Sequence, residues 1–412
     1  MGKLLQINPV LRTNTSTGRI MQEIGECAAA AGWECYVAYS RGRDGEGLPC
    51  RSVKVPVGSK LSVAWHGLLT RLFDLHGSGS VIATLRFIKK IREIDPDIIH
   101  IHNIHGYFLN YRLLLGYLST CGKPVVWTVH DCWMYTGHCY YYTAVGCERW
   151  RTGCHDCPQS RSFPKSWFLD RSRQAFAAKA AAFTSIPKDR LTVVPVSEWL
   201  RGEMAQSFMK GCRFRVIRNG IDVSVFAPCD EAPVRERYAL GDRHVILGVA
   251  SIWSREKGLD DFVRLDSMID RTAEVIVLVG VSESQLSALP QTVIGIRRTA
   301  DVHELAALYS AATAFVNPTW QDNYPTVNLE ALSCGTPVIT YNTGGSPEAV
   351  AADTGLVVAR GDVKGLLEGV RLFAARDRES LRSACRRYAL ENFSKEDRYA
   401  DYLKLYESIT TG

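Results

Sequence analysis

Short apolar runs recur along the chain, each followed by a stretch of helical periodicity, and this alternation is what most constrains the fold. In the first half the runs are Lys3–Ile7, Glu34–Ala38, Ile98–His102, Val125–Val129 and Leu191–Val196. A second series comprises Val245–Ala250, Val275–Val279, Ala314–Asn317, Pro337–Thr340 and Leu356–Val358. Helical patterns lie between them, as at Arg19–Ala31 (closed by Gly32), Asp301–Ser310 and Thr326–Cys334. Runs of this kind suit strands buried on both faces, and so predict parallel sheets with helices on either side. Two series in 412 residues exceed one compact core. The expected fold class is α/β, with two doubly wound, Rossmann-like domains facing each other across a central cleft. Arg218-Asn219-Gly220-Ile221-Asp222 supplies a turn where the series meet. The expected domains are 1–215 and 216–385, with 386–412 a helical segment packing back on the first domain. Leu381–Ile409 reads as one long helix.

Hydrophobic content of 46% and 22% charged residues exclude a disordered chain. Charge is uneven. Residues 1–200 hold 24 Lys and Arg against 15 Asp and Glu, or +9, which leaves −3 for the rest of a chain whose net charge is +6. A basic first half suits an anionic partner such as phosphate or a membrane surface; a solvated surface with a skewed charge count is the alternative. Met1–Pro9 reads as a first strand rather than a signal peptide, and no apolar run reaches the length of a membrane span. The expected location is cytoplasmic, with peripheral contact at the inner face of the plasma membrane. In that reducing compartment the 13 cysteines are not expected to form a disulfide framework.

The most specific stretch is Pro318-Thr319-Trp320-Gln321-Asp322-Asn323-Tyr324-Pro325-Thr326-Val327-Asn328-Leu329-Glu330. It reads as a strand end, a polar loop and a helix start near Thr326. Backbone N–H groups at such a start suit a diphosphate or sugar hydroxyls. Asp322 and Glu330 could accept hydrogen bonds from different hydroxyls of one extended ligand, or cap a turn and pair with a local cation. Gly344-Gly345-Ser346-Pro347-Glu348 follows as a Gly-rich turn, and Trp253-Ser254-Arg255-Glu256-Lys257-Gly258 puts cations at a strand end.

Together with Val194–Trp199, Arg218–Asp222 and Glu304–Ala312, these segments resemble family 4 of the retaining glycosyltransferases over nearly the whole chain. The resemblance implies the GT-B architecture. It also implies an enzyme, a hexosyltransferase type (EC 2.4), moving a sugar from a nucleoside diphosphate sugar to a saccharide or lipid-linked saccharide acceptor. Bacterial exopolysaccharide, capsule or O-antigen synthesis is the expected setting, and nucleic acid is not an expected partner. The family's acidic pair falls on Asp322, toward the donor sugar, and Glu330, toward the ribose. Lys257 matches the lysine on the diphosphate, and His130 the histidine that contacts the transferred sugar. Where the family has an arginine six residues before that lysine this chain has Ser251, with Arg255 nearby. Asn323, Tyr324 and Thr326 are expected beside sugar or phosphate, Ile296 and Arg297 beside the base, and Gly18 and Arg19 of the Asn14–Arg19 loop beside the diphosphate. Catalysis on this reading needs no cofactor. The alternatives are a GT-B epimerase or phosphorylase, and a degenerate transferase that only binds nucleotide or glycan.

Cys139, Cys147, Cys154 and Cys157 end in a Cys-x-x-Cys knuckle, with Cys132 upstream and His138 and His155 interleaved. A structural zinc is the expectation, and buried thiols or a redox pair are the alternatives. A similar His-Asp-Cys-Trp stretch followed by cysteines occurs in a subset of bacterial polysaccharide glycosyltransferases. His100, His102 and His105 could form a metal triad, a less favoured reading. In Leu61–Phe73, Trp65, Leu68, Leu69, Leu72 and Phe73 follow helical spacing between Lys60 and Arg71, a pattern that suits either a membrane interface or a buried helix face.

Overall fold

The structure, a computed structural model, describes residues 2–11, 16–42 and 50–410. The chain forms two compact units, Met1–Ile217 together with Tyr399–Gly412, and Arg218–Arg398.

The first unit is built on β1 (Lys3–Ile7), β2 (Glu34–Tyr39), β3 (Val53–Pro56), β4 (Ile98–Ile101), β5 (Val125–Val129), β6 (Leu191–Pro195) and β7 (Arg213–Phe214). These pair in the order β3-β2-β1-β4-β5-β6-β7, parallel throughout. Every residue of β4, β5 and β6 is buried, as expected of central strands covered by helices on both faces. The strand order reverses between β1 and β4. In such sheets ligands bind beyond the carboxyl ends of strands at that reversal.

The second unit repeats the plan with β8 (His244–Val249), β9 (Glu274–Val279), β10 (Ile294–Ile296), β11 (Ala314–Asn317), β12 (Val338–Tyr341) and β13 (Gly355–Val358). Its order is β10-β9-β8-β11-β12-β13, again parallel. Here the reversal lies between β8 and β11. Both units are Rossmann-like, so the α/β expectation holds.

Three strands had no sequence signal: β3, β7 and β10. They are short and lie at sheet edges, where one side faces solvent and the apolar run that marks a buried strand is not required. The predicted single helix over Leu381–Ile409 is two helices, Arg378–Phe393 and Lys395–Thr410. Ser394 breaks it, with φ −55° and ψ 125°. Ile221 N–H donates to the Phe393 carbonyl at 2.9 Å and Lys395 N–H to the Ile221 carbonyl at 3.0 Å, so backbone pairing replaces helix bonds there.

The second of these helices returns the chain to the first unit from Tyr399, not from residue 386. Tyr399, Tyr402 and Tyr406 bury their rings with Leu4, Ile24, Ile98 and Val126. Their hydroxyls find partners, as buried phenols must. Tyr399 donates to Glu23 at 2.8 Å, Tyr402 meets Thr128 at 2.9 Å and Tyr406 meets His100 Nδ1 at 2.7 Å.

Candidate functional site

In the second unit, β8 and β11 end side by side, and each feeds a segment that carries one half of an ion pair. After β8 a single helical turn, Arg255–Lys257, ends at Gly258. Gly258 has φ +80°, and a Cβ there would sit 2.3 Å from the Pro318 carbonyl oxygen, so only glycine lets the turn lie against the end of β11. Trp320 N–H donates to the Glu256 carbonyl at 2.8 Å, tying turn to loop. The result is that Lys257 Nζ donates to Asp322 Oδ2 at 2.6 Å.

Asp322 is held from the other side by the turn after β12. Its carbonyl accepts from Gly345 N–H at 3.2 Å. Gly344, at φ +58°, passes so close that a Cβ would stand 1.9 Å from that carbonyl oxygen. Asp322 Oδ1 also accepts from Tyr324 N–H at 3.3 Å, so the carboxylate shapes its own turn while facing Lys257. The turn cap open to Asp322 in the sequence is thus present, beside an ion pair with Lys257.

The helix Thr326–Ser333 begins directly after this loop, and no side chain caps its first turn. Its N-terminal N–H groups and positive dipole end therefore lie beside the Lys257–Asp322 pair. A buried polar network fixes the helix. Asn317 Nδ2 donates to Asn328 Oδ1 at 2.7 Å, Asn328 Nδ2 donates to Ser346 Oγ at 3.0 Å, and Ser346 Oγ meets Thr340 Oγ1 at 2.7 Å. Glu330 is buried and accepts from the Tyr309 hydroxyl at 3.1 Å. Asn323 and Tyr324 are buried in the loop, and the Tyr324 hydroxyl has no hydrogen-bond partner.

Other expected donor residues lie further out. Arg255 is exposed, its Nε 3.9 Å from Asp260, and Ser251 is exposed. Ile296 closes β10, two strands from β8, with its carbonyl accepting from Gly280 N–H at 2.8 Å. Arg297 pairs with Glu283 at 2.5 Å on the surface.

In the first unit, His130 and Asp131 follow β5. His130 Nε2 is 3.2 Å from His102 Nδ1, and His102 Nε2 is 3.0 Å from Gln6 Oε1, so a chain of rings runs across the ends of β1, β4 and β5. Burial holds His130 down to about 4, against the opposing pull of Asp131. The imidazole is therefore neutral near neutral pH and can donate or accept one hydrogen bond. Asp131 binds His105 Nε2 at 2.7 Å and accepts from Trp133 N–H at 2.9 Å. These contacts spread the histidines among separate partners. His100 is engaged by Thr128 and Tyr406, so His100, His102 and His105 do not form a metal triad. Gly18 and Arg19 belong to the helix Ser16–Ala30; Asn14 and Thr15 lie outside the described residues.

Sequence reasoning missed Lys179. It lies buried under the loop after His130, donating to the carbonyls of Trp133 at 2.7 Å and Thr136 at 3.0 Å. Burial lowers it to about 7. Its place in an alanine-rich helix carried no signal.

Cys139, Cys147, Cys154 and Cys157 line one cavity of about 10 Å³. Cys139 hydrogen-bonds Cys157, which holds Cys157 down to about 7 and pushes Cys139 well above the ordinary thiol range. Gly137 N–H donates to Cys154 Sγ at 3.2 Å. Yet among the described residues no three His, Cys, Asp or Glu side chains are grouped to hold a metal ion. Cys139 thus bonds to Cys157 and Cys154 to backbone, and zinc at these thiols stays an expectation.

Known proteins resemble this chain in sequence and in fold. The model for "Glycosyltransferase Family 4" matches residues 17–225, half of the chain, and that for "Glycosyl transferases group 1" matches residues 243–375. WcaC of Escherichia coli strain K12, whose name makes it a glycosyl transferase of colanic acid biosynthesis, is 28% identical over 306 residues, 73% of each chain. Among solved structures, sucrose-phosphate synthase from Thermosynechococcus elongatus superposes with a TM-score of 0.73 at 17% identity, covering 100% of both chains. Anabaena Alr3699/HepE, solved in complex with UDP-glucose, gives 0.68 at 15% identity, covering 99% of this chain and 100% of that one. Two Rossmann-like units and a family model spanning half of its length show that the chain belongs to glycosyltransferase family 4, as an enzyme of the GT-B class.

Proposed function

We propose that the enzyme transfers a sugar from a nucleoside diphosphate sugar to a saccharide or lipid-linked saccharide acceptor in polysaccharide synthesis, with retention of anomeric configuration. One observation carries this reading: Lys257 and Asp322 meet 2.6 Å apart at the β8/β11 reversal, beside an uncapped helix start. That placement supplies a cation and backbone N–H donors for a diphosphate, with a carboxylate for sugar hydroxyls. The names of WcaC and of the UDP-glucose complex of HepE support the donor and pathway class.

In this reaction the glycosidic C–O bond breaks, and its electron pair leaves on the nucleoside diphosphate. The acceptor oxygen bonds to the anomeric carbon on the same face, and its proton passes to the departing phosphate oxygen. Lys257 and the N-terminus of Thr326–Ser333 stabilise the growing phosphate charge. In the first unit, neutral His130 is suited to hydrogen-bond a saccharide hydroxyl. In the second unit, Asp322 is suited to orient the donor sugar, and Glu330 to accept from the ribose.

The test is a panel of nucleotide sugars screened for thermal stabilisation and then for transfer to saccharide acceptors. A donor that binds the folded state raises its Tm. Transfer with an α-linked product from an α-linked donor is expected. No stabilisation by any nucleotide sugar would overturn the donor reading; donor turnover without an acceptor would favour an epimerase instead.

A further inference from the structure

The helices Lys60–Phe73 and Val81–Ile94 present apolar side chains to solvent on neighbouring faces. Leu61 is 82% exposed, Trp65 60% and Ile82 68%, values far from those of core residues of their type. Leu68 and Leu85 extend the same faces by one turn. Between the helices runs an open groove of about 790 Å³, with Leu61, Trp65 and Ile82 on its walls and Arg86 and Lys90 at its end. The expected amphipathic helix is thus present, with its apolar residues outward and partly unburied.

The groove is a built feature. Buried His66 meets the Ser80 hydroxyl at 3.0 Å and accepts at Nε2 from Gly77 N–H at 3.0 Å and Gly79 N–H at 3.2 Å. Those bonds lock the first helix to the start of the second. Burial keeps that imidazole neutral, as an accepting ring must be. A second apolar element adjoins: Trp167 N–H donates to the Arg71 carbonyl at 2.7 Å, and Phe168, beside it, is 74% exposed.

Charge decides the occupant. The two helices carry Lys60, Arg71, Arg86, Lys89, Lys90 and Arg92 against one acidic residue, Glu93. A second copy of the same face would bring like charges together. An aromatic and aliphatic surface rimmed by cations, with no helix among the described residues long and apolar enough to cross a bilayer, fits the interface of an anionic membrane. We propose that this face docks the enzyme on an anionic bilayer, with Leu61, Trp65, Ile82 and Leu85 entering the headgroup region and Lys89 and Lys90 meeting lipid phosphates. The assignment needs neither donor nor acceptor, so it stands or falls apart from the transfer reaction.

The experiment is sedimentation of the purified full chain with phosphatidylcholine vesicles, with and without phosphatidylglycerol. Wild type is expected to bind the mixed vesicles and to lose binding as salt rises. The variant Leu61→Ser/Ile82→Ser/Leu85→Ser should bind at least about tenfold more weakly, and Lys89→Glu/Lys90→Glu should lose the preference for anionic lipid. Leu372→Ser/Leu390→Ser, which alters exposed leucines of the second unit, should bind as wild type does. All variants change exposed side chains, and unchanged melting curves check that they fold. Wild type that ignores anionic vesicles would overturn the proposal. So would equal binding to neutral vesicles, or a concentration-dependent dimer that the triple serine variant abolishes.

Discussion

Lys257 Nζ donates to Asp322 Oδ2 at 2.6 Å across 65 residues of sequence, joining the turn after β8 to the loop after β11. The lysine side chain is 39% exposed and the aspartate 16%, so the pair contributes little to stability. Its value is placement: a cation and a carboxylate stand ready at a helix N-terminus.

Lys257→Ala and Asp322→Ala should each lower turnover about a hundredfold or more, because on the proposed reading each removes a group that meets charge or hydroxyls of the donor. Melting temperatures should barely move. Donor-consumption kinetics and a thermal melt on the same samples check both halves; wild-type rates in the two variants would remove these residues from the site.

Gly344→Ala adds a Cβ that collides with the Asp322 carbonyl, in a backbone region that already costs a non-glycine residue about 1–2 kcal/mol. Gly122→Ala, at φ +77° with open space around its Cβ, carries only the second cost. The first variant should lose both stability and activity, and the second only a little stability. Equal melting temperatures for the two would contradict the close approach.

The buried histidines make stability sensitive to acid. Burial holds His100 to about 3, His66 and His130 to about 4, and His76 and His102 well below 6.5. Below pH 6.5 the unfolded chain binds protons that the folded chain refuses, so stability falls as pH falls from 6.5 toward 4. Each group adds a slope of up to about 1.4 kcal/mol per pH unit. His100→Gln keeps hydrogen-bonding capacity without the titration, and its Tm should fall less steeply with acid than that of wild type.

Cys157 is held down to about 7 by Cys139, so iodoacetamide at neutral pH should label it ahead of Cys139. In Cys139→Ala the labelling rate of Cys157 should drop about tenfold as its thiolate fraction falls. Peptide mass spectrometry reads both. Zinc bound in a fixed ratio to the purified protein would instead make these thiols metal ligands.

Much of the candidate site around Asp322 was legible in the sequence because it is contiguous. The strand end at Asn317, the loop through Asp322 and the helix from Thr326 follow each other within a few residues, and each has a local signature in apolar run, turn chemistry or helical periodicity. The family resemblance then supplied Lys257 and His130. Lys179, the His66 clamp and the His105–Asp131 pair carried no such mark, since a lysine or histidine looks the same whether it meets solvent or a buried carbonyl.

By itself the sequence determined that strands alternate with helices in two series, because periodicity records how each segment is buried whatever it is buried against. The tertiary structure alone decided which distant segments meet. The order β8-β11 brings Lys257 to Asp322, the Ile221 backbone breaks the last helix at Ser394, and packing turns Trp65 and Leu61 outward instead of into a core. It also set the four thiols around one small cavity. Those outcomes depend on strand order and on angles between elements, which arise from the sum of many contacts and leave no pattern in any single stretch of chain.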